Sequence, residues 1–297
     1  MSHNNGDDDI DDAPHPRQTT ALFGHGAAEA ALLAAYRSAR MPHGVLIAGP
    51  KGIGKATLAY RLARFILCHP DPAAPDVRSA QSLAVEPTSS VARRIAAQAQ
   101  PDLLAIERSV NERGVLRNQI AVDDIRRTVP FFGSTPGEGG WRIAIIDAVD
   151  ELNRSGANAL LKVLEEPPKR ALLLLVAHSA ARAPPTLRSR CRIISLRALA
   201  AEDVAAAVAA AMNCERDETD VVAAAAADGS VARALTLLDD GALALRQQAL
   251  DLLAQLPGLD ADGLHALGDA LAGTDPQPLA AFLDTVNSWL SARLDHG

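Results

Sequence analysis

The sequence predicts an α/β protein, a parallel sheet with helices on both faces, followed by an all-α segment. Three observations carry this. Short apolar runs alternate with helix-period stretches between about residues 20 and 197, the order that builds a parallel sheet covered on both sides. A glycine-rich turn stands between the first apolar run and the first long helical stretch, where phosphate-binding loops occur. After Leu199 no strand-like run returns, so the best boundary falls near residue 197.

Taken in order, the N-terminal 19 residues carry Asp7, Asp8, Asp9, Asp11 and Asp12 with no apolar partner, which predicts a solvated acidic tail. Leu22 to Met41 has a helical pattern through Ala27, Ala31, Leu32 and Tyr36. Val45–Ala48 is a short buried strand ended by glycine, and Thr57 to Cys68 is helical with Leu58, Leu62, Phe65 and Ile66 on one face. From Pro70 to Pro101 only a helix near Val91 to Gln98 stands out from loop. Leu103–Ile106, Arg142–Ile146, Ala171–Val176 and Arg192–Leu196 read as further strands. Val122 to Phe132 and Ser155 to Leu164 read as helices, and Gly133 to Gly140 as a loop. Glu202–Met212, Asp217–Ala227, Val231–Asp239 and about three helices after Ala242 complete the chain. The expected units are a tail (1–19), a core (20–197), a small helical unit (198–240) and a last helical unit (241–297).

Composition excludes several classes. The 297 residues are 48% hydrophobic and 22% charged, an ordinary globular balance for two or three domains. A net charge of -7 argues against a basic nucleic-acid coat while leaving room for a local basic patch. Three cysteines in a chain this long exclude a disulfide framework and fit a reducing cytoplasm. No apolar run reaches the ~18 residues of a membrane span, and no basic-then-apolar secretory signal opens the chain. The expectation is a soluble, cytoplasmic protein.

Gly49-Pro50-Lys51-Gly52-Ile53-Gly54-Lys55 follows the first strand and opens a helix. Glycines let successive N–H groups face phosphate oxygens, the helix N-terminus adds positive potential, and Lys55 would reach the β- and γ-phosphates. The pattern is incomplete. The hydroxyl residue that binds Mg²⁺ should follow Lys55, and Ala56 stands there. Thr57 lies one place on, turned by about 100° around the helix. Asp147 ends the apolar strand Ile143–Ile146 and could hold magnesium through water, but Ala148 occupies the place of the water-orienting glutamate. The backbone cradle of Gly49, Gly52 and Gly54 survives, whereas the metal and water chemistry is lost.

His43-Gly44-Val45-Leu46-Ile47-Ala48-Gly49-Pro50, then Ile145-Ile146-Asp147-Ala148-Val149-Asp150, then Asn158-Ala159-Leu160-Leu161-Lys162-Val163-Leu164-Glu165-Glu166-Pro167-Pro168, and finally Leu187-Arg188-Ser189-Arg190-Cys191 occur in this order. Over about residues 20 to 240 the set resembles the AAA+ subunits of bacterial clamp loaders, and among them the delta-prime subunits of DNA polymerase III. The resemblance implies a P-loop AAA+ core, a lid over 198–240 and a collar over 241–297, short for a complete one. It implies a hetero-pentamer with clamp-loader ATPase and delta subunits that places a sliding clamp on primed DNA. Carried over, Arg190 is an arginine finger offered in trans to ATP on the neighbouring subunit. Such a guanidinium is worth about 10³ to 10⁵ in rate in other NTPases. The plainer alternative is that Arg190 pairs with a local carboxylate.

This chain departs from the family twice more. The zinc module of many relatives is missing, since Cys68-His69 stands alone, so no zinc and no other metal is expected. Where the second nucleotide sensor's arginine would align after Gly229-Ser230, Ala232 stands, with Arg233 next to it. Cys191 and Cys214 read as buried or half-buried small hydrophobes. His178 stands at the polar sensor position after the third long strand, or is structural. Glu165 and Glu166 shape a helix end before Pro167, and the Arg93-Arg94 and Arg126-Arg127 pairs are solvated helix faces. The resulting expectation is a stator-like, non-hydrolysing subunit that requires no cofactor, with weak ATP or ADP binding left open. The rival is an ATP-hydrolysing motor subunit of the same complex. A kinase on the same loop would need an acceptor site that nothing in the sequence supplies.

Overall fold

In a computed structural model, residues 14–109, 117–134, 140–238, 241–256, 258, 261–272 and 277–294 are described. Five strands form one parallel sheet: β1 (Gly44–Ala48), β2 (Leu103–Ile106), β3 (Arg142–Asp147), β4 (Ala171–Ala177) and β5 (Arg192–Ser195), in the order β2-β3-β4-β1-β5. The three central strands are apolar nearly throughout. All seven residues of β4 are buried, as are all five of β1 and five of the six of β3, which leaves only Asp147 half-buried. Such continuous runs are what a sheet covered on both faces demands.

Strand alternation sorts these residues onto two faces. Val45, Ile47, Ile143, Ile145, Leu172, Leu174 and Val176 meet α1 (Gly26–Arg37), α2 (Lys55–Cys68), α3 (Pro75–Ser79) and α4 (Ser90–Ala96). Leu46, Ala144, Ile146, Leu173 and Leu175 meet α5 (Val122–Arg126), α6 (Thr128–Gly133), α7 (Arg154–Glu165) and α8 (Pro185–Arg188). The single helix expected over Val122–Phe132 is two. Pro130 has no N–H to give and its ring would clash with the carbonyl of Arg126, so the helix restarts at Thr128. The stretch expected to be mostly loop after Pro70 contains α3 and feeds Val77, Leu83 and Ile95 fully into the core.

The expected free tail is corrected for residues 14–19; residues 1–13, with the five aspartates, lie outside the described residues. His15 Nε2 lies 3.2 Å from Glu107 Oε2 and its ring meets Tyr60 edge-on. Arg64 of α2, itself 2% exposed, donates from Nη2 to the carbonyls of Arg17 at 3.0 Å and Thr19 at 3.4 Å, and Arg61 donates to Thr20 O. Composition pointed to a free segment because those donors sit more than forty residues downstream.

Beyond β5 the described residues are helical. α9 (Ala201–Met212), α10 (Glu218–Ala226) and α11 (Val231–Leu238) pack around Val204, Val208, Ala223, Ala227, Ala234 and Leu237. An Asp217–Asp220 capping box starts α10. Then come α12 (Ala242–Ala254), α13 (Ala261–Leu271) and α14 (Gln277–Leu294), three helices as expected, around a small cluster of Leu245, Leu252 and Leu267. Among the described residues no helix is long and apolar enough to cross a membrane.

Candidate functional site

The glycine loop runs off the C-terminal end of β1 into α2. Gly52 (φ +75°) and Gly54 (φ +91°) are left-handed, a region L side chains disfavour. Gly54 is the N-cap of α2 and no side chain caps that helix, so its first turn can face an anion. A Cβ on Gly49 would lie 2.6 Å from the carbonyl oxygen of Leu196. The loop's own carbonyls are taken up elsewhere. Pro50 O accepts from Lys55 Nζ at 2.5 Å, Ile53 O from buried His25 Nε2–H at 2.7 Å, and Gly52 O from the N–H groups of Val231 and Ala232 at 2.9 and 3.3 Å.

The last contact joins the loop to the start of α11. A Cβ on Gly52 would come within 2.2 Å of Ser230 Oγ and 2.7 Å of Ala232 Cβ, so only glycine lets the helix sit there. Ala232, at the expected sensor position, lies directly against the loop. Arg233 is paired on its own side: its Nη1 lies 2.6 Å from Asp228 Oδ2.

The donor set does not suit a divalent ion. Asp147 ends β3 with a half-buried carboxylate, but position 56 presents a methyl group and position 148 a buried one. A phosphate would meet the loop's backbone N–H groups and the buried Lys55 (4% exposed), whereas Mg²⁺ would lack its hydroxyl ligand at position 56. Next to this, Arg108 Nε and Glu151 Oε2 lie 3.0 Å apart, His178 Nε2 lies 3.5 Å from Glu151 Oε1, and the His178 N–H donates to Asp150 Oδ2. His178 therefore ties β4 to the 3-10 turn Val149–Glu151. Among the described residues no cluster of three or more His, Cys, Asp or Glu could hold a metal ion.

Arg190 lies away from the loop, after α8. Its Nη2 is 2.8 Å from Glu165 Oε1, and its Nη1 donates to Thr186 O at 3.1 Å and Ser189 Oγ at 3.3 Å. Both charged side chains stay accessible, Arg190 at 39% and Glu165 at 50%. Glu165 ends α7, and Pro167 keeps Glu166 out of the helical region (φ -125°, ψ 65°). The sequence marked the two glutamates as a helix end only; the contact with Arg190 spans 25 residues and has no local signature. Cys191 packs beside Leu164 against Gly44, where a Cβ would meet its Sγ at 2.8 Å. Burial pushes its thiol up to about 11. Cys214 corrects the expectation of a buried hydrophobe: it is exposed, just past the left-handed cap Asn213 that ends α9. The Arg126–Asp123 pair (2.7 Å) and the more distant Arg127–Asp124 contact (3.7 Å) lie on an exposed helix face, as expected.

A parallel sheet ordered β2-β3-β4-β1-β5, with a glycine loop leading from its β1 into a helix, defines a P-loop protein of the AAA+ type. The sequence family described as "DNA polymerase III, delta subunit" matches residues 24–200, and the chain belongs to it. A relative from Pseudomonas aeruginosa, "DNA polymerase III subunit delta'", is 34% identical over 153 residues, covering 52% of this chain and 42% of the relative. "DNA polymerase III subunit tau/gamma" of Haemophilus influenzae is 27% identical over 285 residues, 92% of this chain and 39% of the relative. "DNA polymerase III subunit tau" of Escherichia coli is 28% identical over 82% of this chain and 36% of the relative. The chain thus spans well under half the length of these curated relatives.

Proposed function

We propose that this chain is a stator-like clamp-loader subunit of the DNA polymerase III holoenzyme. It lends Arg190 in trans to ATP on a neighbouring ATPase subunit and does not itself turn ATP over. One observation carries the reading: an intact phosphate cradle is flanked by Ala56 and Ala148, while a guanidinium stands accessible on another rim of the same sheet. Hydrolysis needs a metal ligand and a residue that positions water, and both positions are methyl groups. A fixed guanidinium needs neither to stabilise charge on a neighbour's γ-phosphate.

In this reading residues 20–197 are the AAA+ core, 198–240 the lid and 241–297 the collar. Gly49, Gly52, Gly54, Lys55 and Asp147 form a degenerate phosphate site that binds ATP or ADP weakly, without zinc or another required cofactor. The partners are clamp-loader ATPase and delta subunits in a hetero-pentamer, the sliding clamp, and primed DNA through the complex. The cytoplasm is the matching compartment.

The test is reconstitution with candidate clamp-loader partners. Arg190→Ala is expected to fold normally and to lower the DNA-stimulated ATPase of the mixture, and unchanged activity removes the role. A motor subunit is the second reading, favoured by the tau/gamma relative's match over 92% of this chain. Turnover by the isolated chain, abolished by Lys55→Ala, would establish it.

A further inference from the structure

We infer that Glu165 is the positioning residue for the Arg190 guanidinium. Together with Ser189 and the Thr186 carbonyl, its carboxylate fixes that group in the orientation it presents to an incoming oxyanion. This rests on the trans-arginine reading of Arg190.

Glu165 closes α7, where the helix dipole disfavours a negative charge, so the helix gains nothing from a carboxylate there. Its stabilising partner is Arg190, 2.8 Å away, whose positive charge also suits the end of α7. Arginine is a long side chain that loses much rotamer freedom when held in one place. Here one charge partner and two hydrogen-bond acceptors, on two elements, hold it: Glu165 lies against Nη2 as an ion pair, while Thr186 O and Ser189 Oγ accept from Nη1. The Ser189 hydroxyl donates in turn to Thr186 O at 3.1 Å, so it is fixed before it receives the guanidinium.

The arrangement leaves a recognising edge. Among the described residues nothing accepts a hydrogen bond from Nε, so Nε–H and the Nη2 group beside it remain to donate to a phosphate oxygen. The neighbouring Arg188 is spent differently, donating from Nη1 to Ala180 O at 3.3 Å. A guanidinium anchored on one side and open on the other is preorganised for a charge that arrives from outside the chain.

The test uses the full-length chain reconstituted with the ATPase subunits of its own clamp loader and primed DNA, following ATP hydrolysis against ATP concentration. Glu165→Ala should lower kcat about 2- to 5-fold, the scale of one accessible ion pair, with KM for ATP unchanged. Glu165→Gln, which keeps an acceptor oxygen, should recover part of the loss. In an Arg190→Ala background, Glu165→Ala should change nothing further. A wild-type or raised kcat in Glu165→Ala, or the same loss in both backgrounds, overturns the positioning role. If Glu165→Ala fails to assemble, the Glu165→Gln comparison in both backgrounds decides by the same criteria. A full rate in Arg190→Ala removes the trans-arginine reading and this inference with it. Loss in Arg190→Ala beside full activity in Glu165→Ala removes the inference alone.

Discussion

The sheet and the last three helices are both rich in leucine, yet they dispose of it differently. In β4 the residues Ala171–Ala177 all lie within the core. In α13 and α14, Leu264, Leu279, Leu283 and Leu290 are 46–51% exposed, and the buried cluster among the described residues there is small: Leu245, Leu252 and Leu267, each 5–8% exposed. A parallel sheet satisfies its apolar faces with helices from the same chain, whereas these C-terminal helices leave apolar side chains uncovered. Under the proposed reading this is the collar. The difference teaches that apolar residues alone do not close a core: the sheet buries its leucines completely, whereas α13 and α14 leave half of theirs in water.

Substitutions can break that comparison. Leu174→Ala, at a fully buried site in the middle of the sheet, should cost about 2–5 kcal/mol in chemical denaturation. Leu283→Ala should stay within about 0.5 kcal/mol in the isolated chain; a cost comparable to that of Leu174→Ala would mean the C-terminal helices are as tightly closed as the sheet. Between these lies Gly52→Ala. With φ at +75° and Ser230 Oγ 2.2 Å from the new Cβ, it should cost about 1–3 kcal/mol and raise hydrogen exchange at the start of α11. Unchanged exchange there would show that α11 is not seated on the loop.

The smallest effects are at the thiols. At pH 8 a disulfide reagent should label exposed Cys214 fast, and Cys191 and Cys68 only slowly until denaturant is added. Burial favours the neutral Cys191 thiol in the folded state, so its contribution is complete below the ordinary thiol pKa and is lost as pH rises towards about 11. Buried Tyr36 and Tyr60 are pushed up in the same direction and add to the same alkaline loss. Stability should therefore fall from pH 9 to 11, less steeply in Cys191→Ala, and equal slopes would contradict burial of that thiol.

Much of this was legible along the sequence because it is local. β2 matches its expected bounds at Leu103–Ile106, and β1, β3 and β4 fall within a residue of theirs, since continuous apolar runs between turn residues have few other uses. The glycine loop declared itself through spacing. What could not be read were contacts set by the tertiary fold: α11 resting on Gly52, Arg64 reaching back to residues 17 and 19, and Glu165 meeting Arg190. Pro130 was legible in principle, since a proline inside an apolar helical pattern marks a break.

The buried guanidinium of Arg64 has a consequence for the chain's first described residues. It is a cation almost wholly removed from water, and burial pulls its pKa down. The carbonyls of Arg17 and Thr19 stand in for the missing hydration. The peptide ahead of α1 is therefore an internal solvent for the helix that begins at Lys55. Cutting it away would replace those carbonyls with water and open α2 to solvent between two and three turns from the glycine loop.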